Sequence, residues 1–284
     1  MFVTKTHDQY RFITQPDYAI LVGQLARHWG NEAFDQPTSR HSFIIAAEHH
    51  DFGWIGYDLR PHIINDSIER LDGTGPAQED LTEFYERGVT DVAEIDPYAG
   101  LLAAMHAAGL CRQNYGIWTE TTSTSADPGF EAFVAELERF QRKLLSKLEA
   151  TSRYAEQIGE RDRDLLATLH EHGVPDDMNN SSQLWKHYLL LEFLDDLSVH
   201  LCTNQTLDSR TVGPLVNSTD DSIFSEFEES DPATIRLDPY PFDTAPLSVF
   251  VAARTVPTSF DSEADLIKAY YQAERYSVEF IFHR

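Results

Sequence analysis

The sequence predicts a mainly α fold: a helical bundle with a small C-terminal strand–helix–strand tail. Three features carry that expectation. Apolar residues recur at helical spacing through most of residues 15–206. The hydrophobic fraction of 42% is enough for a sizeable core. The period changes from helical to alternating only in the last part of the chain. The expected organisation is one domain over 1–284, with a helical body at 15–206 and an acidic linker plus small β-containing extension at 207–284.

Residues 2–14, with Tyr10, Phe12 and Ile13, read as a short strand or an extended arm. Pro16 and Asp17 suit the first turn of a helix, and Ile20, Leu21, Leu25 and Trp29 continue it over 17–29. Gly30 and Asn31 stop it. A second helix is expected over 39–52, apolar on most faces and therefore deeply buried. Residues 58–77, with Pro61, Gly73, Gly75 and Pro76, read as a long irregular stretch, a common setting for function. Helices follow over 97–112 and 129–153, separated by a Thr- and Ser-rich loop at 118–128. The helical pattern resumes over 162–170, breaks at 175–182, and runs strongly apolar over 184–202. Residues 208–237 are polar and acidic. The tail reads as strands at 247–252 and 276–282 around a helix at 261–274. There is no internal repeat.

Charge narrows the partners. Twenty-two basic residues oppose 47 acidic ones, a formal charge of −25 that would repel a phosphate backbone. Nucleic acid is not an expected partner; a small-molecule substrate is. No apolar run reaches the length of a membrane span, about 18 residues, and no leader peptide opens the chain. Two cysteines, Cys111 and Cys202, are too few for a disulfide framework and read as buried thiols. A cytoplasmic protein with no membrane association is expected, its oligomeric state open. Such an acidic surface suits either a salty cytoplasm or solubility alone.

The chemistry-bearing residues interrupt apolar helices. His49, His50 and Asp51 close the second helix, where adjacent side chains can converge on one ion as the backbone opens. Three polar groups there are costly unless paired or ligating. Imidazole with carboxylate suits Zn, Mn or Fe. His106 follows an apolar run in the 97–112 helix, and Asp195 and Asp196 interrupt the 184–202 helix, where only one of the two can face inward. Simpler readings stand beside these. His106 can be a core histidine bonded to a backbone carbonyl, Asp196 a solvated or capping residue, His49 a surface residue, and His28 and His41 peripheral.

The segment Ala46-Ala47-Glu48-His49-His50-Asp51-Phe52-Gly53 resembles the signature helix of the HD-domain superfamily of metal-dependent hydrolases, with Leu194-Asp195-Asp196-Leu197 similar to its late aspartate motif. Four blocks, Gln15 to Ala19, His50 to Trp54, Asp96 to Ala99 and Leu197 to Cys202, also resemble an uncharacterised family, the domain of unknown function DUF3891. The segment Tyr240-Pro241-Phe242-Asp243 fits as well. The first resemblance implies an HD-like helical bundle and a metal-dependent phosphohydrolase. His50, Asp51 and Asp195 would hold the ion, with His106 as a further ligand. Glu48 or His49 would act as general base on a metal-activated water. The substrate would be a small phosphorylated metabolite or nucleotide, gripped by Arg40, Arg60 or Arg112 near Trp54. The sequence departs from the motif at Tyr18, where the resemblance places a histidine. Either the ion is held without it, or His28, His41 or His106 substitutes, or the site is degenerate. Tyr18 is expected to line the site as a hydrogen-bond donor. Two alternatives follow: a di-iron oxygenase of the same class, and a non-catalytic ligand-binding domain with a degenerate site.

Salt should stabilise this fold, because it screens the self-repulsion of −25 charges over a Debye length of about 8–10 Å near physiological ionic strength. The melting temperature is expected to rise between low salt and about 1 M NaCl, followed by circular dichroism. A flat response removes the salt-adapted reading.

Overall fold

The computed structural model describes residues 1–5, 8–64, 67–68, 78–118, 123–151, 158–175, 182–204, 206–231 and 233–284. An antiparallel pair, β1 (Phe2–Lys5) and β2 (Gln9–Ile13), leads into α1 (Gln15–His28). Thr14 caps α1 by accepting from the Asp17 backbone N–H at 3.2 Å, as a Thr-Gln-Pro-Asp start favours. Helix α2 (Arg40–His49) ends in two 3-10 turns, at Phe52–Ile55 and Tyr57–Leu59, and a two-residue hairpin, β3 (Ile63–Ile64) with β4 (Ser67–Ile68). Helices α3 (Gln78–Ile95), α4 (Pro97–Leu110), α5 (Glu131–Glu149), α6 (Glu160–His172) and α7 (Gln183–Thr203) build the body. Strands β5 (Arg210–Val216), β6 (Ser222–Asp231), β7 (Thr234–Asp238) and β8 (Leu247–Pro257) follow. Helix α8 (Glu263–Gln272) and strand β9 (Arg275–His283) close the chain.

Helix α4 is the centre of the body. From Tyr98 to Gly109 every residue is buried, which its Ala- and Leu-rich sequence permits on all faces. Its N-terminus is held inside the core by Asp96, whose carboxylate accepts from the Tyr98 and Ala99 backbone N–H groups at 2.9 and 3.0 Å. The same carboxylate accepts from Ser42 of α2 at 3.1 Å. Helix α3 crosses the 3-10 turn after α2 backbone to backbone: a Cβ added at Gly53 would lie 1.8 Å from the Phe84 carbonyl oxygen, and one at Gly88 2.6 Å from the Gly53 nitrogen. Only glycine allows that approach.

The mainly α expectation with a small C-terminal tail is corrected by the sheet. The fold is α/β, about 52% helical over the described residues, with one seven-stranded mixed sheet curled into a half-barrel. Strand order is β1-β2-β8-β9-β7-β6-β5, antiparallel throughout except for the parallel β7–β9 pair. The residues read as an acidic linker are β5, β6 and β7. In β6 the exposed Glu226 and Glu228 alternate with the buried Ser225 and Phe227, so the acidic residues are the solvent face of a strand. Averaged composition conceals that period of two. Helix α3 was likewise not anticipated; its charged face masks an apolar stripe of Phe84, Val89 and Val92. The expected 39–52 helix ends at His49, and the 17–29 and 184–202 helices correspond to α1 and α7. Much of the expected irregular stretch at 58–77 lies outside the described residues, as do 119–122 of the expected loop and 176–181 of the expected break.

Helices and sheet share one hydrophobic cluster, which runs from α1, α4 and α7 into β5–β9. Trp29, at the end of α1, joins them: its ring packs edge-on against Phe34, Phe193 of α7 and Phe242, with centroids 5.3, 5.8 and 6.2 Å apart. A smaller cluster of Phe12, Val256, Leu266 and Tyr270 seats α8 on the sheet. Among the described residues no helix is long and apolar enough to cross a membrane. Cys111 and Cys202 are both free and buried.

Trp29→Ala is expected to cost about 3–5 kcal/mol by denaturant unfolding, since it opens a cavity where helices meet sheet. Phe224→Ala, on the exposed face of β6, should stay within about 0.5 kcal/mol of wild type. Equal effects would refute this account of the core.

Candidate metal centre

Four elements deliver ionisable side chains to one buried point. Helix α2 runs out at His49, and His50 and Asp51 occupy the turn before the Phe52–Ile55 3-10 segment. Helix α4 supplies His106, α7 supplies Asp195 and Glu192, and the first turn of α1 supplies Tyr18. Glu192 and Asp195 are three residues apart, so both face the same side of α7.

The contacts are close. His50 Nε2 lies 3.1 Å from Asp195 Oδ1 and 3.6 Å from Asp51 Oδ2. The His50 and His106 rings meet edge to face, 5.0 Å between centroids. Ligand atoms of His50, Asp51 and His106 all fall within 4.8 Å of one another, and all three residues are buried. The Tyr18 hydroxyl donates to Asp195 Oδ1, and also lies 3.1 Å from the Asp195 carbonyl oxygen.

Each imidazole is locked by an acceptor on its far side. His50 Nδ1 donates to the Ala47 carbonyl at 3.0 Å, and His106 Nδ1 donates to Glu192 Oε1 at 2.7 Å. That arrangement turns both Nε2 atoms toward the cluster, as carboxylate- and carbonyl-anchored metal ligands require. Asp51 Oδ1 is buried and has no hydrogen-bond partner among the described residues. An orphaned carboxylate oxygen beside two oriented imidazoles fits a cation, and the mixed N/O donor set suits Zn, Mn or Fe.

The protonation states follow from burial and neighbours. Burial opposes charge on His50, but the Asp51 and Asp195 carboxylates outweigh it and hold its pKa above the ordinary imidazole value. Burial likewise opposes charge on His106, yet Glu192 beside it lifts its pKa to about 10. Asp195 is kept below the usual carboxylate range: burial works against this, and the bond from His50 and the charge of His106 prevail. Burial pushes Asp51 up. Burial and the Asp195 and Asp51 charges push the Tyr18 hydroxyl well above its ordinary value. A cation bound among these residues would therefore displace protons from them.

A cavity of about 330 Å³ opens beside the centre. Its polar lining is Gln15, Tyr18, Asp51, His106 and Asp195. The rest of the lining is largely apolar or aromatic and includes Trp54, Tyr85, Leu110, Cys111, Phe130 and Val199.

The structure brings together His50, Asp51, His106, Asp195 and Tyr18, with Trp54 on the same cavity wall. It does not bring Glu48 or His49 there. Glu48 lies over α1 at Gly23 and pairs with Arg27. His49 donates to the Ile45 carbonyl at 3.1 Å and packs on Phe52. Successive helical residues diverge by about 100°, so neighbours of His50 in sequence need not share its direction. Nor does any expected arginine line the cavity. Arg40 is exposed and donates to the Arg27 carbonyl, Arg60 is exposed, and Arg112 pairs with Glu138 at 2.8 Å. Asp196 pairs with Arg210 away from the cluster. His28 bonds Asp243 at 2.9 Å, and His41 is exposed. Of the histidines considered in place of Tyr18, His106 is the one at the cluster. Sequence reading missed Glu192, which stands inside a leucine run. Its spacing of three from Asp195 was the available signal. Tyr85 and Gln15 carried none.

The chain belongs to a family described as protein of unknown function (DUF3891), which matches residues 1–258. No curated protein and no solved structure matches it significantly.

Metal content divides the two adjacent aspartates. Asp195→Asn is expected to lower bound metal by about tenfold or more, measured by elemental analysis, while Asp196→Asn leaves it unchanged. Metal uptake should also release protons, seen as heats that vary with buffer ionisation enthalpy. Equal loss in both variants would overturn the assignment.

Proposed function

We propose that this chain is a metal-dependent hydrolase of a small molecule, with His50, Asp51 and His106 holding the ion and Asp195 completing its surroundings. One observation carries the reading: two buried imidazoles anchored through Nδ1 cluster with Asp51, whose Oδ1 has no hydrogen-bond partner among the described residues, at a cavity wall. The motif resemblance to the HD-domain superfamily supports the same class. When bound, a Zn, Mn or Fe ion would lower the pKa of water and polarise the bond under attack.

The protein's own groups divide the remaining work. Glu192 sets the tautomer and direction of His106, and the Ala47 carbonyl does so for His50. Tyr18 donates to Asp195, which fixes that carboxylate beside His50 Nε2. Tyr18 keeps its proton under burial and the neighbouring carboxylate charges, so it acts as a donor, to Asp195 here and to a substrate oxygen in a complex. With Glu48 and His49 outside the cavity, no general base is assigned to them.

Protein purified without chelator after growth with added Fe, Mn and Zn is expected to hold close to one equivalent of metal. Less than about a tenth of an equivalent would sink the proposal and favour a non-catalytic binding domain. Tyr18→Phe should retain the metal and slow turnover of a chromogenic ester by about 10²-fold, the usual cost of one oriented donor. Loss of metal in that variant would make Tyr18 a ligand instead.

A further inference from the structure

We infer that the cavity takes an uncharged molecule with an apolar, ring-bearing body and one polar head, rather than a phosphate ester or nucleotide. The inference rests on the metal-centre reading above.

Three features carry it. The first is the make-up of the cavity lining. Tyr18, Asp51, His106 and Asp195 belong to the centre, where a polar head would meet the ion. Phe2, Leu81, Leu110, Phe130 and Val199 make most of the remaining lining apolar, and Trp54 and Tyr85 add rings, so that a ring-bearing body would remove apolar area from water. Cys111 in that lining is a neutral thiol, its pKa pushed up to about 12 by burial.

The second feature is charge. Asp51 and Asp195 together balance a divalent ion, leaving no net positive charge for an anion. Among the described residues no lysine or arginine lines the cavity. The nearby guanidinium groups are engaged elsewhere: Arg87 with the Gly53 carbonyl at 2.8 Å, and Arg112 with Glu138 at 2.8 Å. A phosphate dianion placed here would lose its hydration against aromatic walls without a counter-charge, which costs several kcal/mol even after relaxation.

The third feature is size. The cavity of about 330 Å³ is roughly twice the ~150 Å³ that encloses benzene in an apolar protein cavity. A ring with a short substituent fills it. Leu110 lines the cavity and is 39% exposed, so its edge is open to solvent.

The test uses Mn-loaded full-length protein, isothermal titration and four probes: benzohydroxamate, acetohydroxamate, phenyl phosphate and inorganic phosphate. The two hydroxamates share one metal-binding head, neutral in solution near pH 7 and releasing a proton on binding the ion, and differ in the ring. Benzohydroxamate is expected to bind about 10–100-fold more tightly than acetohydroxamate, from burial of the ring. It should also exceed both phosphates by at least about tenfold. Leu110→Arg sets a guanidinium at the open edge of the cavity and should raise phenyl phosphate affinity about tenfold relative to acetohydroxamate. Tighter binding of phenyl phosphate to wild type, equal binding of the two hydroxamates, or no binding of any probe by metal-replete protein would overturn the inference and leave the metal centre standing. Elemental analysis of the same samples separates the cases: absence of metal removes the centre and the inference together.

Discussion

Five ionisable side chains are enclosed near the middle of this molecule, and the rest of the structure is arranged around satisfying them. His50, Asp51, His106, Glu192 and Asp195 come from three helical segments whose other buried residues are largely apolar. An unpaired charge in such surroundings costs several kcal/mol, comparable to the whole stability of a domain. The His106–Glu192 contact at 2.7 Å links α4 to α7, and His50 with Asp195 links the end of α2 to the same face of α7. These polar contacts demand direction as well as distance, so they set helix register in a way that leucine packing alone does not. The same requirement leaves both imidazoles oriented by their Nδ1 bonds before any ligand binds.

Backbone geometry delivers the residues that helices alone would misplace. His50 and Asp51 diverge too far on a continuous helix to share an ion with ease. Ending α2 at His49 and tightening into a 3-10 turn removes that limit. The turn is held by the Gly53–Gly88 crossing, which brings Trp54 beside Phe84 of α3, with ring centroids 5.4 Å apart. Elsewhere around the cavity, α4 stops at Leu110 and the chain reverses through Gln113, Asn114 and Tyr115, all with φ near +50°. Three consecutive left-handed residues are unfavourable by about 1–2 kcal/mol each. The fully buried Tyr115 ring, packed against Tyr188 of α7, offsets that cost and keeps Cys111 at the cavity.

The sheet contributes to the centre from outside it. Strand β2 leads directly into α1, so the β2–β8 pairing fixes where Thr14 begins the helix and hence where Tyr18 stands. Gln15 is tied down separately by Asp58, which accepts its backbone N–H at 2.6 Å. Helix α7 rests on β5, and α1 on β8, so the elements that carry Asp195 and Tyr18 are both seated on the sheet. A purely helical body would leave the first turn of α1 without that support.

Local patterns determined a good deal. The run of apolar residues through 97–110 and 183–203 could be nothing but buried helix at that length, and His50, Asp51, His106 and Asp195 stood out because polar groups on such helices need partners. Tyr18 stood out through its place in a motif. What the sequence could not determine was direction. Glu48 and His49 adjoin His50 yet point to Arg27 and Phe52, because the side to which each side chain projects depends on where the helix ends and what packs on it. Glu192 was hidden in a leucine run whose inward face is known only once α4 lies against α7. The sheet was hidden for a related reason: its strands lie at both ends of the chain, and β1–β2 meets β8 only across more than two hundred residues of sequence. Periodicity reports which face of an element is buried, and tertiary structure alone decides which elements come to share that burial.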